Sequence, residues 1–301
     1  MEHADIKSID NIILDNNYSQ IVVCPELGGA LLAYQVRLDG KVRSILRNTP
    51  QATKANEGSN YALLPYSNRI LNGRFLWRGA QIQLPLNNPP MKHSIHGHGW
   101  QNPWDVRDKD KTSVTLSYRH KAGSWPFDYS AKQRISIHKH SLLLELSLKN
   151  EGSEDMPAGL GFHPYFTRTA KSRVVAKTGK MWAVDEEIMP KELVNAPTDL
   201  ARSPGLELSN HQLDNVFTDF SGCAHLHWPE WRVKAQVTTS EHCCFMVLFS
   251  PEGKSFYCVE PVTHSTDAIN MAQRGEENTG FKILKSNEEL YIFMHIEPQC
   301  I

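Results

Sequence analysis

Hydrophobic and polar positions alternate along much of the chain with a period of two. Residues 141–149 place Leu142, Leu144, Leu146 and Leu148 on one face of an extended segment. Successive side chains of a β-strand point to opposite faces, so this pattern predicts half-buried strands. Gly, Pro, Asn and Asp clusters separate the strand-like segments, which predicts an all-β, antiparallel fold. The other segments of this kind are 20–24, 112–118, 129–138, 232–238, 245–249 and 290–296.

Helical periodicity is nearly absent. Residues 268–274 alone favour a short helix or turn. No run of about 18 apolar residues occurs, so we expect no membrane span. The proline-rich stretch 185–210 predicts the most irregular part of the chain. Because the motifs described below lie on both sides of that stretch, we expect residues 1–301 to form a single domain.

Composition narrows the class of protein. The 301 residues are 40% hydrophobic and 22% charged, which is typical of a globular protein. Lys and Arg number 32 and Asp and Glu number 33, so the net charge is -1. This balance offers no basic excess for nucleic acid or anionic lipid. We therefore expect neither of these as a partner.

Six cysteines occur, without a C-x-x-C zinc pattern or the spacing of a small disulfide framework. The adjacent pair Cys243 and Cys244 lies in a strand-like segment, where neighbours face opposite sides and do not pair. The first ten residues lack the basic and apolar regions of a signal peptide. Free thiols without an export signal predict a cytoplasmic protein.

A first candidate site is LLPYSNRILNGRF, residues 63–75, in which bulky apolar residues flank Ser67, Asn68 and Arg69. Its Asn-Gly pair predicts a turn. One interpretation is a strand–turn–strand with Arg69 at the surface. The other is a guanidinium that donates hydrogen bonds to ligand oxygens.

A second candidate site is HSIHGHGW, residues 93–100. On a strand, His96 and His98 would face the same side. No carboxylate follows closely and no H-E-x-x-H occurs, so we expect no metal. The glycines predict a tight loop where backbone approaches a ligand. A neutral imidazole beside Trp100 suits a sugar ring, whereas histidines satisfied by hydrogen bonds in the core are the alternative.

A third candidate is His163 in GLGFHPYF, residues 159–166. The following proline favours extended backbone at His163, and aromatic residues surround it. An apolar surrounding disfavours the imidazolium, and a nearby carboxylate favours it. The alternative is a structural histidine without a role in chemistry.

A fourth candidate is Glu260 in FYCVEPVTH, residues 256–264. On a strand, Phe256, Cys258 and Glu260 share one face. A carboxylate beside two apolar residues must be paired, bound to a ligand or raised in pKa. A buried salt bridge and a general base both remain open.

Several other chemistries lose support from the sequence. The chain has no G-x-S-x-G elbow, no P-loop and no strand-linked G-x-G-x-x-G. Nucleophilic acyl transfer, nucleotide hydrolysis and hydride transfer are therefore disfavoured, and no cofactor is expected.

Taken together and in order, these segments resemble the galactose mutarotase (aldose 1-epimerase) family. The matching pieces are NRI at 68–70, HGHGW at 96–100, WPFDY at 125–129, HPYF at 163–166, LDNVF at 213–217 and EP at 260–261. The resemblance runs from about Gly28 to the carboxyl terminus. It implies a large antiparallel β-sandwich, a galactose mutarotase-like supersandwich, with the sugar in an open groove. A monomer or homodimer without cofactor is expected.

The resemblance also implies which residues carry the interconversion of α and β anomers. Glu260 matches the carboxylate that takes the proton from the anomeric hydroxyl. His163 matches the histidine that protonates the ring oxygen. His96 matches a second histidine that hydrogen-bonds the substrate near the reacting atoms. Opening and closing the ring needs one acid and one base, but no metal, nucleophile or redox centre.

Other residues are expected to bind the sugar. Arg69 matches the arginine that holds sugar hydroxyls, and Asp214 matches a carboxylate that grips hydroxyls remote from C1. Asn68, His98 and Trp100 are expected in the same groove. The region between 167 and 212 departs most from the family pattern, so the sequence leaves the preferred sugar open.

Two alternatives remain at the level of sequence. One is a non-catalytic sugar-binding or regulatory protein of the same fold. The other is an epimerase of phosphorylated or sulfonated hexoses. Phosphate recognition usually recruits several basic side chains or a helix amino terminus. Near the motifs we find only Arg69, Arg74 and Arg78, which favours a free aldose.

Overall fold

The structure is a computed structural model that describes residues 11–301. The expectation that the chain starts without a signal peptide concerns residues 1–10 and lies outside the described residues.

Short and long strands make up most of the fold, and one α-helix, α1 (Ala268–Gln273), is present in the described residues. In chain order the strands are β1 Ile12–Asp15, β2 Ser19–Cys24, β3 Ala30–Leu38, β4 Lys41–Leu46, β5 Ala62–Leu63, β6 Arg69–Ile70, β7 Arg74–Trp77, β8 Ala80–Gln83, β9 Ser94–Ile95, β10 Asp105–Lys109, β11 Ser113–His120, β12 Tyr129–His138, β13 Ser141–Asn150, β14 Met156–Ala158, β15 Gly161–Phe162, β16 Tyr165–Thr167, β17 Arg173–Ala176, β18 Lys180–Val184, β19 Pro190–Asn195, β20 Leu206–Glu207, β21 Leu213–Phe217, β22 Cys223–Trp228, β23 Val233–Thr239, β24 Phe245–Ser250, β25 Phe256–Val262, β26 Lys282–Leu284 and β27 Glu289–Cys300. Single turns of 3₁₀-helix lie at Ala55–Glu57, Leu71–Gly73, Gly99–Gln101, Thr198–Ala201, Leu208–Asn210 and Pro229–Trp231.

Two large sheets organise these strands. The twelve-stranded sheet has the order β1-β2-β3-β4-β16-β25-β24-β21-β18-β19, with β15 beside β25 and β5 beside β15. The nine-stranded sheet has the order β10-β11-β12-β13-β27-β23-β22-β17-β20. Central neighbours run antiparallel, as in the pairs β12–β13, β13–β27, β21–β24 and β24–β25. The prediction of an all-β fold with large antiparallel sheets is confirmed.

The period of two explains which side of each strand is buried. In β13 the buried and less buried positions alternate along all ten residues, and the four predicted leucines are fully buried. The register puts Ile135 of β12 and Met294 of β27 on either side of Leu144. Members of both sheets join one cluster of buried residues, which extends along the chain from Leu14 to Ile296. A single domain over residues 1–301 stays a prediction.

The structure also bears on the expected short helix, the expected irregular stretch and the expected absence of a membrane span. Residues 268–274 begin with α1, as predicted. The stretch 185–210 is more regular than predicted, because β19 pairs with β18 at the edge of the larger sheet despite beginning with Pro190. Proline is tolerated at the first residue of an edge strand, where no partner requires its missing N–H. No helix in the described part of the chain is long and apolar enough to cross a membrane.

All six cysteines are free. Cys243 is buried and its neighbour Cys244 is exposed, so the prediction that these two do not pair is confirmed.

Candidate active site

Strand pairing brings Glu260 and His163 together across 97 positions of sequence. Glu260 lies on β25, and His163 lies in the two-residue connection between β15 and β16. Because both of these short strands pair with β25, the connection passes directly beside Glu260. His163 Nε2 lies 3.4 Å from Glu260 Oε1.

Both groups are buried, and burial moves their proton affinities in opposite directions. Glu260 is 2% exposed and His163 is 6% exposed. Burial raises the pKa of the Glu260 carboxyl well above its usual range; the charge of Asp214 adds to this, and Arg69 opposes it. Burial lowers the pKa of His163 to about 3, and Arg47 contributes in the same direction. Burial thus favours the neutral form of both groups, a neutral imidazole beside a protonated carboxyl group.

A second set of polar groups faces this pair. Arg69 starts β6, and its Nη2 donates to Asp214 Oδ2 at 3.2 Å. Asn68 has left-handed backbone (φ 56), and its Oδ1 accepts from Arg69 N at 2.8 Å and from Arg69 Nη1 at 3.2 Å. Asp214 on β21 and Glu260 on β25 both lie next to β24, opposite Phe249 and Val247. The larger sheet thus places the arginine–carboxylate pair near the catalytic candidates.

His96 contributes an imidazole of defined tautomer. Its Nδ1 accepts a hydrogen bond from Asn68 N at 3.0 Å, so the ring proton lies on Nε2. Burial lowers the pKa of His96 well below its usual range, and His163 and Arg69 add to this. The His96 and His163 rings contact edge to face, with centroids 5.3 Å apart. His96 is therefore a neutral hydrogen-bond donor beside the pair.

His98 does not join this group, and the expectation that it faces the same side as His96 is wrong. The chain leaves β9 with left-handed backbone at His96 (φ 59) and Gly97 (φ 66), so the two histidines do not lie on a strand. Instead His98 Nε2 contacts the hydroxyl of Tyr129 at 2.9 Å, and its ring packs on His120 at 4.3 Å. Burial, aided by His120, lowers the pKa of His98 to about 3.

The predicted tight loop is present at Gly97. A Cβ on this residue would meet the backbone of Leu64, so only glycine fits. The loop continues into the 3₁₀ turn that carries Trp100, whose Nε1 donates to Gly97 O at 3.1 Å. The backbone at Gly97 therefore positions both His96 and Trp100.

These elements enclose a cavity of about 150 Å³. Several buried polar atoms around it have no hydrogen-bond partner among the described residues; they are Asn56 Oδ1, Arg69 Nε, His163 Nδ1 and Glu260 Oε2. Unpaired buried polar groups are costly, so they indicate a binding site for a ligand that can form hydrogen bonds. Every predicted site residue except His98 lines the cavity, namely Asn68, Arg69, His96, Trp100, His163, Asp214 and Glu260.

Some lining residues were missed from the sequence. Tyr61 stacks on His163 with centroids 4.8 Å apart, and Tyr165 stacks on it at 4.6 Å. Tyr165 lies in the HPYF segment and was noted there only as an aromatic neighbour. Tyr61 precedes the two-residue strand β5, which is too short for periodicity to reveal. Asn56 and Asn88 also line the cavity and lie in segments without any motif.

One group of residues near the cavity has the geometry to hold a metal ion. Donor atoms of His163, Cys258 and Glu260 lie within 4.8 Å of one another, and all three residues are buried. The H-x-H pair that first invited a metal interpretation does not form such a group in the described residues. That no metal is required stays a prediction.

Comparison with known proteins identifies the family to which the chain belongs. The family model described as aldose 1-epimerase matches residues 10–297, which confirms the resemblance found in the sequence. The chain belongs to the aldose 1-epimerase family.

Individual relatives extend this comparison. The uncharacterized protein YphB of Escherichia coli K12 is 27% identical over 240 residues, covering 77% of this chain and 82% of that protein. The uncharacterized protein YihR of the same organism is 30% identical over 162 residues, covering 52% of this chain and 53% of that protein. A putative aldose 1-epimerase from Escherichia coli K12 has the same fold, with a TM-score of 0.86, 24% identity and coverage of 97% and 99% of the two chains. A galactose mutarotase-like protein from Clostridium acetobutylicum gives a TM-score of 0.83 at 19% identity, over 97% and 95%.

Proposed function

We propose that this protein is an aldose 1-epimerase (mutarotase), an isomerase that interconverts the α and β anomers of a free hexose. The observation that carries the proposal is the 3.4 Å contact between His163 Nε2 and Glu260 Oε1 at a cavity with unpartnered polar atoms. A buried acid and base that share one proton are suited to moving a proton on and off a sugar.

Ring opening requires that O1 lose a proton and that O5 gain one. Glu260, as carboxylate, takes the O1 proton, and His163, as imidazolium, gives its proton to O5. The C1–O5 bond breaks, and C1 becomes a carbonyl. After rotation about the C1–C2 bond, O5 attacks the other face of C1 while His163 recovers its proton and Glu260 returns one to O1. Protons balance over the cycle, so the pair ends as it began.

In the proposed mechanism, ligand binding moves the shared proton from Glu260 to His163. Without ligand, burial favours neutral His163 beside protonated Glu260. Sugar hydroxyls that donate to the free Glu260 Oε2 would stabilise the carboxylate and thus the imidazolium. In this proposal the Nε2–H of His96 donates a hydrogen bond to the sugar near the reacting atoms, since its Nδ1 already accepts from Asn68 N. The proposal thus assigns His96 a supporting role in catalysis.

The remaining cavity residues are proposed to hold the sugar. Arg69 and Asp214 form one donor–acceptor pair for hydroxyls remote from C1, and Asn68 orients Arg69 through two hydrogen bonds. The indole of Trp100 offers an apolar surface to the carbon face of the ring. Correct placement of the substrate lowers the barrier in its own right.

The arginines near the motifs support a free hexose as the substrate, because their side chains already have partners within the protein. Arg78, which is exposed, pairs with Glu154 and Asp155, and Arg74 hydrogen-bonds Gln83. Neither lines the cavity, and Arg69 is already paired with Asp214. A hexose 6-phosphate with a much higher kcat/KM than the free hexose would contradict this substrate class.

The proposal is tested with anomerically pure aldoses. We expect catalytic amounts of protein to accelerate their equilibration, measured by polarimetry or by NMR exchange between the two anomers. Saturable binding of the same sugars without acceleration would favour a non-catalytic sugar-binding protein.

A cytoplasmic location is part of the proposal and is supported by the six free cysteines. A monomer or homodimer stays a prediction.

A further inference from the structure

The imidazole of His163 lies in a stack of aromatic rings that ends on a cation. Tyr61 and Tyr165 both pack on it, with interplanar angles of 25° and 18°, and their own ring centroids lie 6.3 Å apart. The Arg47 guanidinium carbon lies 3.5 Å from the centroid of the Tyr165 ring and 4.8 Å from that of Phe256. Because a guanidinium and an imidazole cannot occupy the same face of Tyr165, Arg47 and His163 cover opposite faces. One phenol ring therefore separates a fixed positive charge from the proposed acid.

Hydrogen bonds hold Arg47 in this position. Its Nε donates to Gly58 O at 2.6 Å, and its Nη2 donates to Asn56 O at 2.7 Å. Its backbone N–H donates to Tyr165 O at 2.9 Å. Arg47 thus joins the backbone of the stack to the turn that carries the cavity residue Asn56. A planar guanidinium suits this position, since it can stack and donate in its plane at once.

We propose that Arg47 is a positioning residue for the epimerase reaction, acting through Tyr165 to fix the plane of His163. Its positive charge also lies one ring away from the imidazole. The proposal rests on the proposed function, because it assumes that His163 is the acid. An imidazolium that gives up its proton readily is a better acid towards a weakly basic ring oxygen. A fixed plane also keeps His163 Nε2 directed at Glu260.

The sign of the electrostatic effect follows from the groups around His163. Burial is the main cause of its lowered pKa, and the positive charge of Arg47 is the next. Arg69 acts in the same direction. Glu260, when ionised, and the electron-rich faces of the two tyrosines favour the imidazolium. The remaining titratable groups around it are Cys258, His96 and Asp214. Removing the charge of Arg47 should therefore raise the pKa of His163.

Two substitutions separate charge from shape. Arg47→Gln removes the charge and keeps a planar amide that can donate to a carbonyl. Arg47→Lys keeps the charge and loses the plane. The matched control is Arg43→Gln, because Arg43 lies on the preceding strand β4, is also half-buried and lies 5.3 Å over the ring of Trp231.

The readouts are the pH dependence of kcat/KM and an NMR titration of the His163 ring nitrogens. The NMR titration does not need turnover, so a failed function and a failed role of Arg47 remain distinguishable. In Arg47→Gln we expect the titration of His163, and the acid limb of the profile, to move to higher pH by about half to one unit. Neither should move in Arg47→Lys or Arg43→Gln. Both Arg47 variants should lower kcat by about 10-fold with a smaller change in KM, because the imidazole plane is less well fixed.

Two results would overturn the proposal. One is an unchanged His163 titration in Arg47→Gln, and the other is the same displacement in Arg47→Lys as in Arg47→Gln. Because the Gln variant could fold poorly, Tyr165→Leu provides a second test that leaves the carbonyl bonds of Arg47 in place. Its kcat should fall more than its KM rises, and an unchanged kcat in a folded Tyr165→Leu protein also contradicts the role of the stack.

Discussion

Replacing Glu260 by glutamine is the most informative single perturbation of this site. The amide keeps the shape of the carboxyl group and removes its ability to take a proton. General acid–base groups contribute about 10²- to 10⁴-fold to a rate, so kcat should fall by at least about 100-fold. This factor corresponds to about 2.7 kcal/mol of lost transition-state stabilisation. Sugar binding should persist, because Arg69, Asp214 and His96 are untouched.

The thermal stability of the Glu260→Gln variant should respond differently from its activity. The Glu260 side chain is buried, and its Oε2 has no partner among the described residues. An unsatisfied buried acceptor of this kind destabilises a fold by about 1–3 kcal/mol. A neutral amide has nearly the size and polarity of the protonated carboxyl group, so the midpoint of thermal unfolding should stay close to that of the wild-type protein. A large loss of kcat without loss of stability marks a residue that serves the reaction.

The assay is the rate of exchange between the α and β anomers of a hexose, followed by NMR at equilibrium. Glu145→Gln is a matched control, because Glu145 lies on β13 of the other sheet, beside Arg134 and Tyr291. The double variant Glu260→Gln with His163→Ala should lose far less than the product of the single losses, since the two residues act as a unit. Near-wild-type kcat in Glu260→Gln, with circular dichroism unchanged, would refute the reasoning.

Four further predictions address the rest of the site. The pH profile should be a broad bell. Activity is lost at low pH when His163 is protonated while Glu260 still carries its proton, and at high pH when Glu260 loses its proton while His163 is neutral. Burial lowers the pKa of His163 and raises that of Glu260, so a narrow bell centred on neutral pH would contradict this prediction. Asp214→Asn should raise KM more than it lowers kcat, and steady-state kinetics with the opposite split would assign the residue to the chemistry. Exhaustive chelation should leave the exchange rate intact, whereas a bound transition metal whose removal abolishes turnover would show that a metal is required. Gly97→Ala should lower the free energy of unfolding by more than Gly40→Ala does, because both glycines have positive φ but only the Cβ at position 97 meets backbone atoms; equal losses in chemical denaturation would argue against that contact.

Burial also sets the order of the two titrations in the free protein. Ordinary pKa values would place the titration of the Glu260 carboxyl on the acid side and that of the His163 imidazolium on the alkaline side. Burial of both side chains exchanges that order for the free protein, since each group is pushed towards its neutral form. The number of protons on the pair in the middle of the range, one, is the same in both descriptions.

Local sequence determined much of the architecture. Alternation with a period of two depends only on neighbouring residues, and strands such as β12, β13 and β24 begin and end within a residue or two of the predicted segments. The motifs also singled out Arg69, His163 and Glu260, which all line one cavity.

Only the tertiary structure decided how these side chains meet. The orientation of His98 depended on left-handed backbone at His96 and Gly97, which a strand-like pattern cannot reveal. The packing of Tyr61 and Tyr165 on His163, and of Arg47 on Tyr165, depended on pairing between segments far apart in sequence. The proton affinities depended on burial, which is a property of the whole fold, because desolvation is set by everything that surrounds a group and not by its neighbours along the chain.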